Sequence, residues 1–237
     1  MKKYLFFVFI FVIEIAKAEL ATTDRYQSAL KDAAFVKADG VTNQLWAITP
    51  DNSHLIWNDD KTKLLVVLWI DFGNYYRHVK YNSRTYTDFG RFKFWVTAVP
   101  QVKDFCKQYL NLSDEDLDLR LKQYLGLPPD GNFNIFVEMW VNPESLFRPC
   151  IDPEITDTQC EYVIPDNFIK TLHGEFYQQL YFENFRYPNR YPWTGLGYTY
   201  DWGNKESKIG ASEFIIKPDS LFIKKGEYIK TRNYCSN

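Results

Sequence analysis

The chain has 237 residues, with 28 Lys and Arg against 30 Asp and Glu for a net charge of -2, and 18% of its residues are Phe, Trp or Tyr. Charges of both signs are scattered, which excludes nucleic acid and an anionic membrane surface as partners, since each is gripped by clustered basic side chains. The aromatic content supplies a large core and excludes disorder, and no low-complexity linker divides the length into two domains.

Residues 1–18 read as a cleaved signal peptide. Lys2 and Lys3 precede the apolar run YLFFVFIFVI, and Ala16-Lys17-Ala18 forms an A-x-A cleavage site, so the mature chain is expected to begin at Glu19. The run is about half the ~20 residues that a membrane span needs, and Glu14 interrupts it. Export to a periplasmic or extracellular compartment, with no stable membrane insertion after cleavage, is the expectation, and residues 19–237 form the single domain.

Thr23 or Asp24 is placed to cap a short helix through Ala34, with Gly40 ending the pattern. His54 to Trp57 and Leu64 to Ile70 read as the arms of a hairpin around a polar turn, and Phe92 to Ala98 as a further strand. Pro100 opens a helix that ends near Leu110. In SDEDLDLRLKQYLG, Ser113 is the N-cap, Asp116 the capping-box partner and Gly126 the stop, with Leu117, Leu121, Tyr124 and Leu125 on one apolar face. The acids at 114, 116 and 118 are explained by that helix start. A calcium loop would need Gly where Leu119 stands.

Phe133 to Val141 is the most strand-like run, and its alternation puts Glu138 on the face shared by Phe136 and Trp140. A carboxylate between rings is a candidate general acid if that face is a pocket; a salt bridge is the competing role. Trp140 is a candidate binding ring. Asn142-Pro143 starts a helical turn through Phe147, and Arg148 follows as a candidate binder of an anionic group.

Cys150 and Cys160 bracket a short loop and are expected to pair in an oxidising compartment, leaving Cys106 and Cys235 for a second bridge that ties down the C-terminus. That pairing removes Cys150 as a thiol nucleophile for His173. Pro165-Asp166 caps a longer helix with Phe168, Ile169, Leu172, Phe176 and Leu180 on one face. His173, beside that face, is a candidate acid, base or hydrogen-bond donor, with a satisfied core-edge histidine as the alternative.

The segment YPNRYPWTGLGYTYDWG, from Tyr187, concentrates aromatic rings and glycines around Arg190 and Asp201. Alternation from Leu196 to Trp202 sets Tyr198, Tyr200 and Trp202 on one face, expected in the core. Trp193 lies between Pro192 and Thr194-Gly195, a turn-like setting that presents a ring, so Trp193 and Arg190 are expected at the mouth of a site. Gly210-Ala-Ser212-Glu-Phe214 fails as a nucleophile elbow because Phe214 replaces the final Gly. Ser212 to Lys217 and Leu221 to Lys224 read as strands, with Tyr228 to Thr231 a third.

The mixed order of elements and the closing hairpins give an α+β fold with a mainly antiparallel sheet. Isolated histidines and the absence of a C-x-x-C pair argue against zinc, and no P-loop or dinucleotide fingerprint occurs, so neither metal nor cofactor is expected. Three functions fit: a non-catalytic binding protein for a glycan or cell-envelope component, favoured here; a structural or interaction protein; and a hydrolase using Glu138, Asp201 and His173 on such a component.

Overall fold

The computed structural model describes residues 20–186 and 191–237; the expected leader and Arg190 lie outside them. Helix α1 covers 20–33, so it begins ahead of the expected caps Thr23 and Asp24. The strands are β1 (Leu64–Ile70), β2 (Trp95–Ala98), β3 (Ile135–Val141), β4 (Leu146–Phe147), β5 (Tyr198–Tyr200), β6 (Ile209–Ser212), β7 (Phe214–Ile216), β8 (Phe222–Lys224) and β9 (Ile229–Lys230). Among the described residues, seven of them form one antiparallel sheet in the order β4-β7-β2-β1-β3-β8, with β9 also on β3, and β5-β6 make a separate ribbon. The fold is α+β.

Every residue of β1 is buried, as expected of a central strand covered on both faces. Register puts Val66, Leu68 and Ile70 on one face with Val137 and Met139 of β3, against Ile48, Leu55, Tyr75 and Val79. Tyr75 and Val79 come from the helical segment that opens with α2 (Phe72–Asn74). The opposite face carries Leu65, Val67 and Trp69, and two helical blocks cover its ends. Over β1 and β3 lie α3 (Gln101–Lys107), α4 (Asp114–Tyr124) and α6 (Thr231–Ser236), packing Val102, Leu117, Leu121 and Tyr234. Over β4 and β7 lies α5 (Leu172–Arg186), packing Phe176, Tyr177 and Leu180 on Phe147 and Ile215.

Local sequence explains most element ends. The Ser113 side chain accepts a hydrogen bond from Asp116 N at 3.1 Å, and Gly126, at φ 66°, stops the chain after α4. The 54–57 arm is not a strand: only an isolated bridge joins Trp57 to Leu64. The long helix expected after Pro165 is two pieces, a 3-10 turn Phe168–Lys170 and then α5, separated by extended Thr171. The break changes the helical phase, so Phe168, Phe176 and Leu180 are buried whereas Ile169 and Leu172 face solvent. Gly174 makes the break compact, since a Cβ there would sit 1.9 Å from the Phe168 carbonyl oxygen.

Both disulfides form as expected: Cys106 to Cys235 joins α3 to α6, and Cys150 to Cys160 closes its short loop. No described helix is long and apolar enough to cross a membrane.

Candidate functional site

Between the two helical blocks the sheet face is left open, and the gap is a cleft of about 1440 Å³. Its floor is set by register. Val67 of β1 lies opposite Thr97 of β2, Trp95 opposite Ile215 of β7, and two residues before Ile215, on the same face, stands Glu213. Val67, Trp69, Trp95, Thr97 and Glu213 all line the cleft. One wall is Val102 of α3 and the 125–133 connection after α4; the other is Leu180, Glu183 and Asn184 of α5 with Tyr191 and Trp193. Helix α1 adds Tyr26 and Leu30 at one end, and β5 adds Thr199 and Tyr200.

The lining mixes aromatic, aliphatic and polar side chains, with Trp69, Trp95, Phe133, Phe136, Tyr191 and Trp193 among its rings. Trp69 packs on Phe133 and Phe136 with ring centroids 5.4 and 5.5 Å away, and its indole N–H donates to Thr231 Oγ1 at 3.1 Å. Trp95 is half-buried, leaving part of its ring available. At the rim Lys93 pairs with Glu183 at 2.9 Å.

Glu213 differs from every other carboxylate on the lining. It sits where the chain leaves its pairing with β5 and joins β2, its backbone N–H donating to the Gly197 carbonyl at 3.0 Å. The residue is 7% exposed, and its Oε1 has no hydrogen-bond partner among the described residues. The Thr97 hydroxyl, also buried, is likewise without a partner among them. Burial alone pushes the Glu213 carboxyl up to about 8, because a desolvated carboxylate with no compensating donor favours its neutral form. At neutral pH this is a carboxylic acid, able to donate and to accept, at the floor of an aromatic cleft.

Of the described residues expected to carry function, only Trp193 lines the cleft; Glu138, Trp140, Arg148, His173 and Asp201 fall elsewhere. Glu138 shares its face with Phe136 and Trp140 as expected, but that face lies under α3, and the carboxylate is clamped by Lys225 at 3.1 Å and Lys103 at 3.5 Å. Trp140 packs at the edge of the α3, α4 and α6 core, outside the cleft. Asp201 is buried and receives two hydrogen bonds from Arg120, at 2.9 and 2.6 Å, and others from the backbone N–H of Gly203 and Asn204. It borders a smaller, separate hollow of about 550 Å³ between α1 and the β5-β6 ribbon. The His173 ring meets the Cys150 carbonyl oxygen through Nε2 at 2.6 Å, the satisfied core-edge arrangement.

Arg148 is fully buried and holds the disulfide loop together. Its guanidinium donates to Asp157 Oδ1 at 2.7 Å and to the carbonyls of Asp157 and Trp46 at 2.6 and 3.0 Å. No donor is left for a ligand anion except Nε, which is itself buried. Trp193 corrects the expectation of an exposed ring. It is only 6% exposed, packs edge-on against Tyr177 at 4.9 Å and donates its indole N–H to the Pro149 carbonyl at 3.0 Å. The preceding proline does make a turn, but the turn folds the ring inward onto α5, where it forms part of the cleft wall.

Tyr198 and Trp202 are buried as expected, and Tyr200 is half-buried with its hydroxyl on Asp32. The opposite face of that segment, Thr199 and Asp201, is buried too, so the cassette is core on both sides. The site residues missed in sequence are Trp69, Trp95, Thr97 and Glu213. The only signal for Glu213 is an acid within the otherwise apolar run GASEFII.

Comparison of the chain with protein-family models, with curated proteins and with solved structures finds no match.

Proposed function

We propose that this is an exported, non-catalytic binding protein whose sheet-face cleft takes a glycan or cell-envelope component. The observation that carries the reading is the cleft itself, a preformed concavity in which aromatic and aliphatic side chains alternate with polar ones, and in which Thr97 and Glu213 stand at the floor. Its volume exceeds the roughly 300–1,000 Å³ of most small-molecule pockets, which favours a ligand of several linked rings. Flat aromatic surfaces such as Trp95 suit the apolar face of a sugar ring. The leader-like N-terminus and the two disulfides support export.

A hydrolase reading has less support. Glycoside hydrolysis generally uses two carboxyl groups flanking one bond, and the carboxylates expected for that task, Glu138 and Asp201, are engaged by lysines and an arginine outside the cleft.

Three tryptophans on the cleft make intrinsic fluorescence a direct readout. Titration of the purified protein with oligosaccharides and envelope fragments is expected to give a saturable emission change with at least one ligand class, and Trp95→Ala is expected to abolish it while the protein stays folded. A panel in which no ligand perturbs the emission would count against the reading.

A further inference from the structure

The cleft contains an acid that the fold does not use. Glu138, Asp201, Asp157 and Asp32 each meet a Lys or Arg, whereas Glu213 Oε1 meets nothing among the described residues despite its burial. Leaving such a group unpaired costs stability, and a carboxyl kept at that cost on the wall of a concave site points toward the ligand.

Resting on the binding reading above, we infer that the ligand carries a protonated amine, which docks on the Glu213 carboxylate and the Thr97 hydroxyl while its ring lies on Trp95 of the cleft floor.

Three observations select a cation. Charged groups on the lining are Asp71 after β1, Asp130 after α4, Lys93 before β2 and Glu183 of α5, besides Glu213, so acids outnumber bases. The one lysine is already held by Glu183 at 2.9 Å, which leaves no free base among the described residues of the lining for an anionic ligand. Trp69, Trp95 and Trp193 all border the cleft, Trp95 half-buried, and an ammonium near an indole face gains further attraction from the ring quadrupole. A charge-assisted hydrogen bond from ammonium to carboxylate is also about twice as strong as a neutral one. Amino-bearing sugars unite the two requirements, an apolar ring face and an ammonium.

Among the described residues, the remaining elements around the cleft bring no competing base: α1 contributes Thr23, Tyr26, Gln27 and Leu30, α3 contributes Val102, and β5 contributes Thr199 and Tyr200. Binding therefore requires the Glu213 carboxylic acid to ionise. The carboxyl proton passes to the amine where the ligand arrives unprotonated and to solvent where it arrives as ammonium.

The test uses the purified protein and three tetrasaccharides, of glucosamine, of N-acetylglucosamine and of glucose, titrated calorimetrically at pH 7 in two buffers of different ionisation heat. Expected are binding of the glucosamine tetramer about tenfold or more tighter than of the other two, a net proton exchange on binding that depends on Glu213, part of the carboxyl proton passing to unprotonated amine and the rest to solvent, and loss of both the preference and this exchange in Glu213→Gln. Thermal unfolding verifies that the variant is folded, and a second variant, Thr97→Val, is expected to weaken the preference without proton uptake or release of its own. Equal or tighter binding of the N-acetylated or glucose tetramer, or a preference that survives Glu213→Gln, overturns the amine inference and leaves the glycan reading standing. Binding of none of the three overturns the amine inference as well, and the binding reading then stands or falls on the wider panel of oligosaccharides and envelope fragments.

Discussion

Arg120 and Asp201 are joined by two parallel hydrogen bonds, 2.9 and 2.6 Å long, that fasten α4 to the chain leaving β5. Asp201 is 2% exposed, and its carboxylate also receives the Gly203 and Asn204 backbone N–H groups, so one side chain fixes both a helix and a turn. Asp201→Ala is expected to cost about 3–5 kcal/mol, the usual penalty for leaving the other member of a buried pair uncompensated. Urea unfolding measures it. A loss below ~1 kcal/mol would show that the pair contributes little.

Both tryptophans of the aromatic cassette are core residues, each with its indole N–H on a backbone carbonyl, Trp193 on Pro149 and Trp202 on Leu127. Trp193→Ala and Trp202→Ala are each expected to destabilise by about 3–5 kcal/mol. The two midpoints in a thermal melt should fall together. A Trp193→Ala protein that melts like the wild type would return that ring to the surface.

The two disulfides close loops of very different length, with sequence separations of 129 and 10 residues. Constraint of the unfolded chain grows with loop length, so removing Cys106 to Cys235 by paired Cys→Ser substitution is expected to cost about 4–5 kcal/mol and removing Cys150 to Cys160 about 2–3 kcal/mol. Denaturant unfolding of the two double variants gives the order. The reverse order would mean that Arg148, which is organised by the 150–160 loop, dominates the smaller crosslink.

Glu213 makes stability fall with rising pH. Its carboxyl is pushed from 4.5 in the open chain to about 8 in the fold, so between those values the native state binds more protons than the unfolded state. Stability is then expected to decline across pH 4.5 to 8, by up to ~1.4 kcal/mol per pH unit from this group, and to level off above it. Unfolding curves at pH 5 and pH 8 for the wild type and Glu213→Gln isolate the contribution. Parallel pH slopes in the two proteins would contradict it.

Much of the frame is legible from the sequence because its signals are local. Ser113, Asp116 and Gly126 delimit α4, and alternation marks β3 and the burial of Tyr198 and Trp202. The cleft is not legible, because it depends on which strands become neighbours. Trp69, Trp95, Thr97 and Glu213 come from β1, β2 and the start of β7, and only the strand order β7-β2-β1 brings them onto one face. Trp193 misleads for a related reason: Pro192 and Gly195 do signal a turn, but whether the turn points a ring outward or onto α5 is decided by residues distant in sequence. Glu138 and Asp201, expected as acid and base, and Arg148, expected as an anion binder, are held in ion pairs instead, because their partners Lys103, Lys225, Arg120 and Asp157 are brought to them by the fold and are not signalled in the local sequence.

Carbon-13 NMR of the Glu213 carboxyl, assigned by comparison with Glu213→Gln, tests the cleft most directly. In the free protein the resonance should titrate near pH 8, and at pH 7 saturation with the glucosamine tetramer should move it to the ionised position. A resonance that titrates in the ordinary carboxylate range near 4.5 and does not move when the tetramer is added would contradict both the desolvated floor of the cleft and its use as a binding site.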